Sequence, residues 1–264
     1  MWITTDLSSL TFHASSATIP RMKHLILLAL FTAFLAAQAA APEVEITAEP
    51  HHHLTFENKS VRVFNVEVPP NTETLMHWHR HDYISVNLGP AEIENNVKGK
   101  PPVTAKLPDG DVRFASATFA HFVRDVADYP FRNVTVEILE DESLRNSTAK
   151  WDPAKNKNED RGLTVLPNGT QQILLVKDGI RATEFELQPG AVVPMHHHAG
   201  PHLLVAVTDL DLRSDVKSDS PDGPQGPMPA HFKSGDSKWL PGNYSHTLTN
   251  TGAKPAKFVT LEFP

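Results

Sequence analysis

Short runs of β-branched and aromatic residues, several alternating apolar with polar, recur along most of the chain. Val61–Val68, Tyr83–Leu88, Phe131–Leu139, Ile173–Val176, Ala182–Leu187, Leu203–Val207 and Lys257–Phe263 are such runs. Pro-Pro-Asn, Gly-Pro, Asp-Gly and Pro-Gly sequences bound them, which predicts strands closed by turns. Beyond residue 41 no stretch carries a helical period. The expectation is an all-β protein. Glu140–Thr170 is polar and without periodicity, and reads as a linker. Arg213–Ala230 is rich in Ser, Asp, Pro and Gly and reads as a long loop, either functional or mobile.

The pattern occurs twice. Asn58–His79 aligns with Lys177–His198: Arg62 meets Arg181, Glu67 meets Glu186, Pro70 meets Pro189, and Met76-His77-Trp78-His79 meets Met195-His196-His197-His198. Further on, Gly110-Asp111 meets Gly235-Asp236, His121 meets His246, Asp125 meets Asn250, Pro130 meets Pro255, and Val134-Thr135-Val136-Glu137 meets Val259-Thr260-Leu261-Glu262. So many ordered matches imply two domains of one fold. We place them at residues 40–142 and 169–264, with 143–168 as the linker.

The N-terminal region has a different character. Arg21-Met22-Lys23-His24 precedes an apolar run from Leu25 to Ala37, and Ala37-Gln38-Ala39-Ala40-Ala41 follows. A basic segment, a short apolar core and small residues predict a secretory signal peptide, cleaved after Ala39. The run is too short for a stable membrane span. Met22 reads as the start, residues 1–39 as leader, and the mature protein as periplasmic or secreted.

Composition narrows the function. The net charge is -7, which argues against nucleic acid as partner, since phosphate recognition needs clustered Lys and Arg. There is no cysteine, so disulfides, Cys-ligated zinc, iron–sulfur clusters and thiol catalysis are excluded. Fifteen histidines remain the main source of metal chemistry.

Side chains two apart on a strand share a face. Each His-x-His pair therefore aims two imidazoles into one space, and a lone histidine follows each. Imidazole suits Zn, Cu, Fe and Ni. In the second half, Gly190, five residues, His196-His197-His198 and then His202 resemble the first motif of the cupin superfamily, with His202 where that family has Glu and Asp209 where it has the closing Gly. Gly235, Pro241, Asn243, His246 and Asn250 resemble the second motif, with Asn243 for Gly. The chain is thus similar to a bicupin, two tandem jelly-roll β-sandwich or barrel domains whose mouths hold metal. The resemblance implies His196, His198, His202 and His246 as ligands. On a straight strand His202 would stand ~20 Å from His196, and Gly200-Pro201 is the turn that could return it.

The first half matches less well. His77, His79 and His121 keep their places, but Tyr83 stands at the Glu position, Asn71 replaces the first Gly, and Ser116 and Thr118 replace Pro and Gly. Either a three-histidine site follows, with His81 or Asp82 as alternative ligands, or a metal-free domain that serves packing. His51-His52-His53 reads as solvated, because three adjacent residues cannot all face one ion. Arg62 and Arg181 read as structural ion pairs. Trp78, Trp239, Phe119 and Phe122 read as cavity walls or core.

The expected cofactor is one divalent ion in the second domain (Fe, Mn, Zn or Ni, which the sequence does not distinguish), and a second in the first domain if its three histidines bind. An octahedral ion with four protein ligands keeps two positions for substrate and dioxygen or water. Uncompensated ion charge in a His-only site attracts an anion. The expectation is a metal-dependent enzyme, dioxygenase-like, on a small anionic or enolisable molecule. The rival is a non-catalytic ligand-binding or sensing module, which a closed tetrahedral zinc would favour. Neither is expected to need nucleic acid or a membrane span, and both are compatible with a homo-oligomer.

Overall fold

The computed structural model describes residues 42–139 and 163–264. The leader and most of the linker lie outside these residues. Twenty strands and one turn of 3-10 helix, Ile46–Ala48, make up the described secondary structure. The first module holds β1 (Val44–Glu45), β2 (His52–Glu57), β3 (Val61–Val68), β4 (His77–His79), β5 (Tyr83–Asn87), β6 (Ala91–Val97), β7 (Val103–Leu107), β8 (Val112–Ala115), β9 (Phe119–Asp125) and β10 (Phe131–Ile138). The second holds β11 (Leu163–Leu166), β12 (Gly169–Lys177), β13 (Ile180–Leu187), β14 (Val192–His198), β15 (His202–Ala206), β16 (Leu210–Ser218), β17 (Gln225–Phe232), β18 (Ser237–Leu240), β19 (Tyr244–Asn250) and β20 (Ala256–Glu262).

The modules repeat one topology. Strand orders β2-β3-β10-β5-β8 and β4-β9-β6-β7 in the first match β12-β13-β20-β15-β18 and β14-β19-β16-β17 in the second. β1 and β11 are additions at the edges. Registers match as well: β3 and β10 pair Arg62 with Glu137, and β13 and β20 pair Arg181 with Glu262. The all-β, two-jelly-roll expectation holds.

Two segments differ from the sequence reading. Leu163–Leu166, placed in the linker, is a strand paired with β12 through the turn before Gly169. The predicted loop 213–230 is mostly a hairpin, in which β16 and β17 pair from Leu210 with Phe232 to Lys217 with Gln225. Pro227 and Pro229 hide the strand signal, but β17 is an edge strand, where a missing N–H is tolerated. Leu210, Leu212 and Val216 on β16 bury the inner face.

The sheet containing β3 and the sheet containing β13 pack against each other. Val61, Val63, Ile84, Val86, Val134 and Val136 of one module share a single core with Ala182, Leu203, Val205, Val259 and Leu261 of the other. The opposite faces of the same strands line the barrels, so these strands are buried on both sides. This explains why Leu203–Val207 reads as a continuous apolar run. The contact is reciprocal. A side chain at Gly110, whose φ is +79°, would strike Glu184 and Lys257. One at Gly235, φ +94°, would strike Asn65 and approach Arg132, the repeat equivalents of those residues. Lys257 donates to the Asp109 carbonyl at 3.0 Å, and Arg132 donates to the Ser234 carbonyl at 3.1 Å. The halves are therefore related by a pseudo-twofold axis, with one surface patch meeting its own copy.

Candidate metal centres

In each module two paired strands bring three imidazoles together. β4 and β9 pair His77 with His121, and β14 and β19 pair His196 with His246. The third histidine, His79 or His198, lies two residues along, on the same face. The ligand nitrogens of His77, His79 and His121 lie within 4.8 Å of one another, as do those of His196, His198 and His246. The three pairs predicted to be equivalent occupy equivalent places.

The second trio is held from behind. His196 Nδ1 donates to the Pro194 carbonyl at 2.8 Å and His198 Nδ1 to Glu262 Oε1 at 2.8 Å; His246 Nδ1 lies 2.6 Å from Ser214 Oγ. A carbonyl and a carboxylate only accept, so His196 and His198 carry a proton on Nδ1 and turn Nε2 inward. His246 Nε2 lies 3.0 Å from that of His196 and 3.1 Å from that of His198. Three ring nitrogens gathered this closely suit a cation placed among them. Two nitrogens ~2.1 Å from one ion at roughly 90° stand ~3.0 Å apart. The donor set fits a divalent ion.

Glu262 is itself anchored, its Oε2 accepting from Arg181 Nε at 2.6 Å. Burial opposes its ionisation, but the hydrogen bond from His198 and the Arg181 charge prevail and hold the carboxyl at about 2. Burial also drives the His246 imidazole down to about 3 and lowers that of His196, so both are neutral at physiological pH.

His202, inferred as a fourth ligand, is not brought into the trio. Its ring stacks on His198, centroids 4.0 Å apart and planes 15° apart. An imidazole lone pair lies in the ring plane, and two stacked rings cannot both direct theirs at one ion. His202 Nε2 instead faces the Tyr244 hydroxyl at 3.2 Å. Tyr83, the repeat equivalent, stacks on His79 in the same way, at 4.2 Å and 26°. In both modules an aromatic ring thus stands where the cupin family has its carboxylate.

The first trio is less completely braced. His77 Nδ1 donates to the Leu75 carbonyl at 2.8 Å, and His121 Nδ1 to Asn95 Oδ1 at 2.8 Å. His79 Nε2 lies 3.1 Å from that of His121. Yet His79 Nδ1 is buried without a partner, and so is Glu137 Oε1, at the position equivalent to Glu262. The hydrogen bond of the second site is not made here. Burial, only partly offset by Arg62, raises the Glu137 pKa. Burial pushes the His77 imidazole down to about 4, lowers those of His79 and His121 much further, and drives the Tyr83 hydroxyl up to about 12.

His52, read as solvated, has a side chain only 6% exposed, and its ring lies 4.6 Å from that of His77. Its Nδ1 donates to buried Glu49 at 2.6 Å. Three consecutive residues cannot face one cavity, but one of them on a strand can. Asp82 accepts from the Ala117 amide at 2.7 Å, a loop-holding role. Arg62 pairs with Glu57 and Glu137, and Arg181 with Glu262, so both are in ion pairs. Trp78 points to the surface, bonding Glu43 beneath Arg80, whereas Trp239 lines the second cavity. Phe119 stacks on His79 at 5.4 Å. Asn95, Ser214 and the Glu137/Glu262 pair were not identified as site residues. The repeat match of Glu137 with Glu262 was the available signal.

No family model matches the sequence, and no curated protein matches it. Solved structures do resemble it. An oxalate decarboxylase studied for substrate binding and a reaction-specificity switch superposes with a TM-score of 0.55 at 13% identity, over 77% of this chain and 69% of that one. Bacillus subtilis oxalate decarboxylase, studied for its Mn(II) centres, gives 0.56 at 13% identity over 78% and 69%. At such identity the likeness establishes the bicupin fold, while the chemistry must be argued from the side chains. Among the described residues no helix is long and apolar enough to cross a membrane.

Proposed function

We propose that the chain is an exported, metal-dependent bicupin enzyme. Its working centre is His196, His198 and His246, and it acts on a small molecule with an anionic or enolisable head. One observation carries the reading: three inward ring nitrogens gather, His246 Nε2 lying 3.0–3.1 Å from the other two, while the opposite ring nitrogens of His196 and His198 are tied to acceptors. A divalent ion would supply Lewis acidity and open coordination positions there, which suits oxygenase-type chemistry. Neutral imidazoles leave its charge uncompensated, which favours an anionic group on the substrate. The chain's own part is to hold geometry. Glu262 and Arg181 orient His198, Ser214 orients His246, and His202 with Tyr244 offers polar atoms in a largely apolar wall. The likeness to an enzyme named for oxalate, in which Mn(II) centres have been studied, is consistent with this.

His77, His79 and His121 are proposed as a second, weaker ion site, because His79 lacks the carboxylate that His198 has. Outer partners commonly affect metal affinity 10–100-fold. Elemental analysis of the purified protein and of two variants tests the reading. Bound divalent metal is expected, with His198→Ala losing more of it than His79→Ala. Absence of metal would overturn the proposal, and equal or reversed losses would overturn the ranking. A metal-loaded protein that binds carboxylates but never turns one over would favour the capture-module rival.

A further inference from the structure

The two centres are near copies, but the cavities in front of them are not. The first is about 250 Å³ and places Ser85, Asn133 and Thr74 among its lining groups, while a basic residue at one equivalent position, Arg113 or Lys238, lines both. The second is about 330 Å³, and Leu204, Phe258, Leu212, Phe232 and Trp239 dominate its walls. Strand register allows a position-by-position comparison. Ser85 and Asn133 in the first barrel correspond to Leu204 and Phe258 in the second, because β5–β10 and β15–β20 pair identically. Val103 and Leu107 correspond to Met228 and Phe232 across β6–β7 and β16–β17. Two polar groups have become large apolar ones and a leucine a phenylalanine, yet the enclosed space is no smaller.

Resting on the metal reading above, we infer that the second site takes a substrate with an apolar body and a single metal-binding head, a medium-chain or aromatic carboxylate or enol, and not a compact dianion such as oxalate. At ~30 Å³ per water, the cavity has room for roughly eleven waters. Compact dianions would leave most of that space to water against apolar walls, whereas an apolar chain of six to eight carbons would displace it. His196, His198 and Phe185 also border a polar cleft of about 740 Å³ that includes Arg181 and Gln171. A body lying there would gain little from added methylenes. Chain length therefore reports which of the two spaces is used.

The experiment is calorimetry on metal-loaded protein carrying His79→Ala to disable the first trio. The probes are butyrate, hexanoate, octanoate and oxalate, and metal content at the second trio is measured in the same samples. Burying a methylene should tighten binding roughly three- to four-fold. Octanoate is thus expected to bind at least tenfold more tightly than butyrate, and more tightly than oxalate. Leu204→Ser should flatten the series. Met228→Gln, at a half-exposed edge position that folding tolerates, should weaken octanoate several-fold and leave butyrate unchanged. Retained metal with a flat series, or with oxalate binding tightest, overturns this inference alone. A second trio that holds no metal overturns both the inference and the reading it rests on.

Discussion

Replacing Glu262 by Gln removes one charge and keeps the shape of the side chain. In the native protein this carboxylate accepts from His198 at 2.8 Å and from Arg181. Its pKa, about 2 against an ordinary 4.5, marks how strongly those partners favour the ionised form. At 1.36 kcal/mol per pH unit the interaction is worth about 3 kcal/mol, and the side chain, 20% exposed, is sheltered enough for that figure to stand as an order of magnitude. A depressed acid pKa contributes stability that is complete above about 4.5 and disappears as pH falls through 2. The metal-free E262Q protein should therefore be less stable than the parent at pH 7 by up to ~3 kcal/mol, with the gap closing between pH 4.5 and 2. Metal affinity at this trio should fall ~10–100-fold, because the amide holds His198 less firmly and makes it a poorer donor. Glu137→Gln is the matched comparison: its Oε1 has no partner and His79 Nδ1 is unbonded, so first-site affinity should change far less. Competition against a chelator, with the other trio disabled in each case, gives both affinities, and chemical denaturation gives the stabilities. Unchanged second-site affinity in E262Q, or an equal loss in E137Q, would refute the bracing role assigned to Glu262.

Acidification should destabilise the metal-free protein through its imidazoles. Their folded pKa values lie below the unfolded 6.5, at about 4 for His77 and about 3 for His202 and His246. The unfolded chain therefore binds protons first, and stability falls as pH drops from about 6.5 to about 3. Thermal melts at pH 7 and pH 5 should differ, and the difference should shrink in His246→Asn; identical melts would contradict it. His202→Glu, which puts a carboxylate beside the ion, should weaken binding of small carboxylates without loss of metal. A titration at equal metal occupancy that finds undiminished binding would exclude site charge as the selector. Expressed from Met22, the protein should be exported with an N-terminus at or near Ala40; mass spectrometry of exported material with an intact Met22 would disprove processing.

Much of this was legible in the sequence, and what was not had physical causes. Alternation, turn residues and the matched halves led directly to two β modules, because period and repeat are local properties of the chain. The trios followed from His-x-His on a strand. His52 escaped because nothing local tells which of three consecutive histidines faces inward; buried Glu49, three residues earlier, decides it. His202 sat at the spacing of a ligand, but spacing does not report ring orientation, and stacking on His198 withdraws its lone pair from the trio. The hairpin of β16 and β17 was masked by prolines that only an edge position accommodates. The contrast between the cavities lay in residues such as Ser85 and Leu204, whose equivalence becomes visible once the register is known.

The pseudo-twofold contact has a consequence for how the two sites could come to differ. In a dimer of identical subunits every substitution is made twice, so a change that suits one cavity is imposed on the other. Here the same self-complementary face is satisfied within one chain, and Gly110 and Gly235 occupy its two halves under separate genetic control. Asn133 can remain polar while Phe258 fills with carbon, at no cost to the pairing that supports both. Joining the halves also removes dilution as a route to separation, since each is permanently in the neighbourhood of the other. Any association between whole chains must then be built on surfaces other than this one.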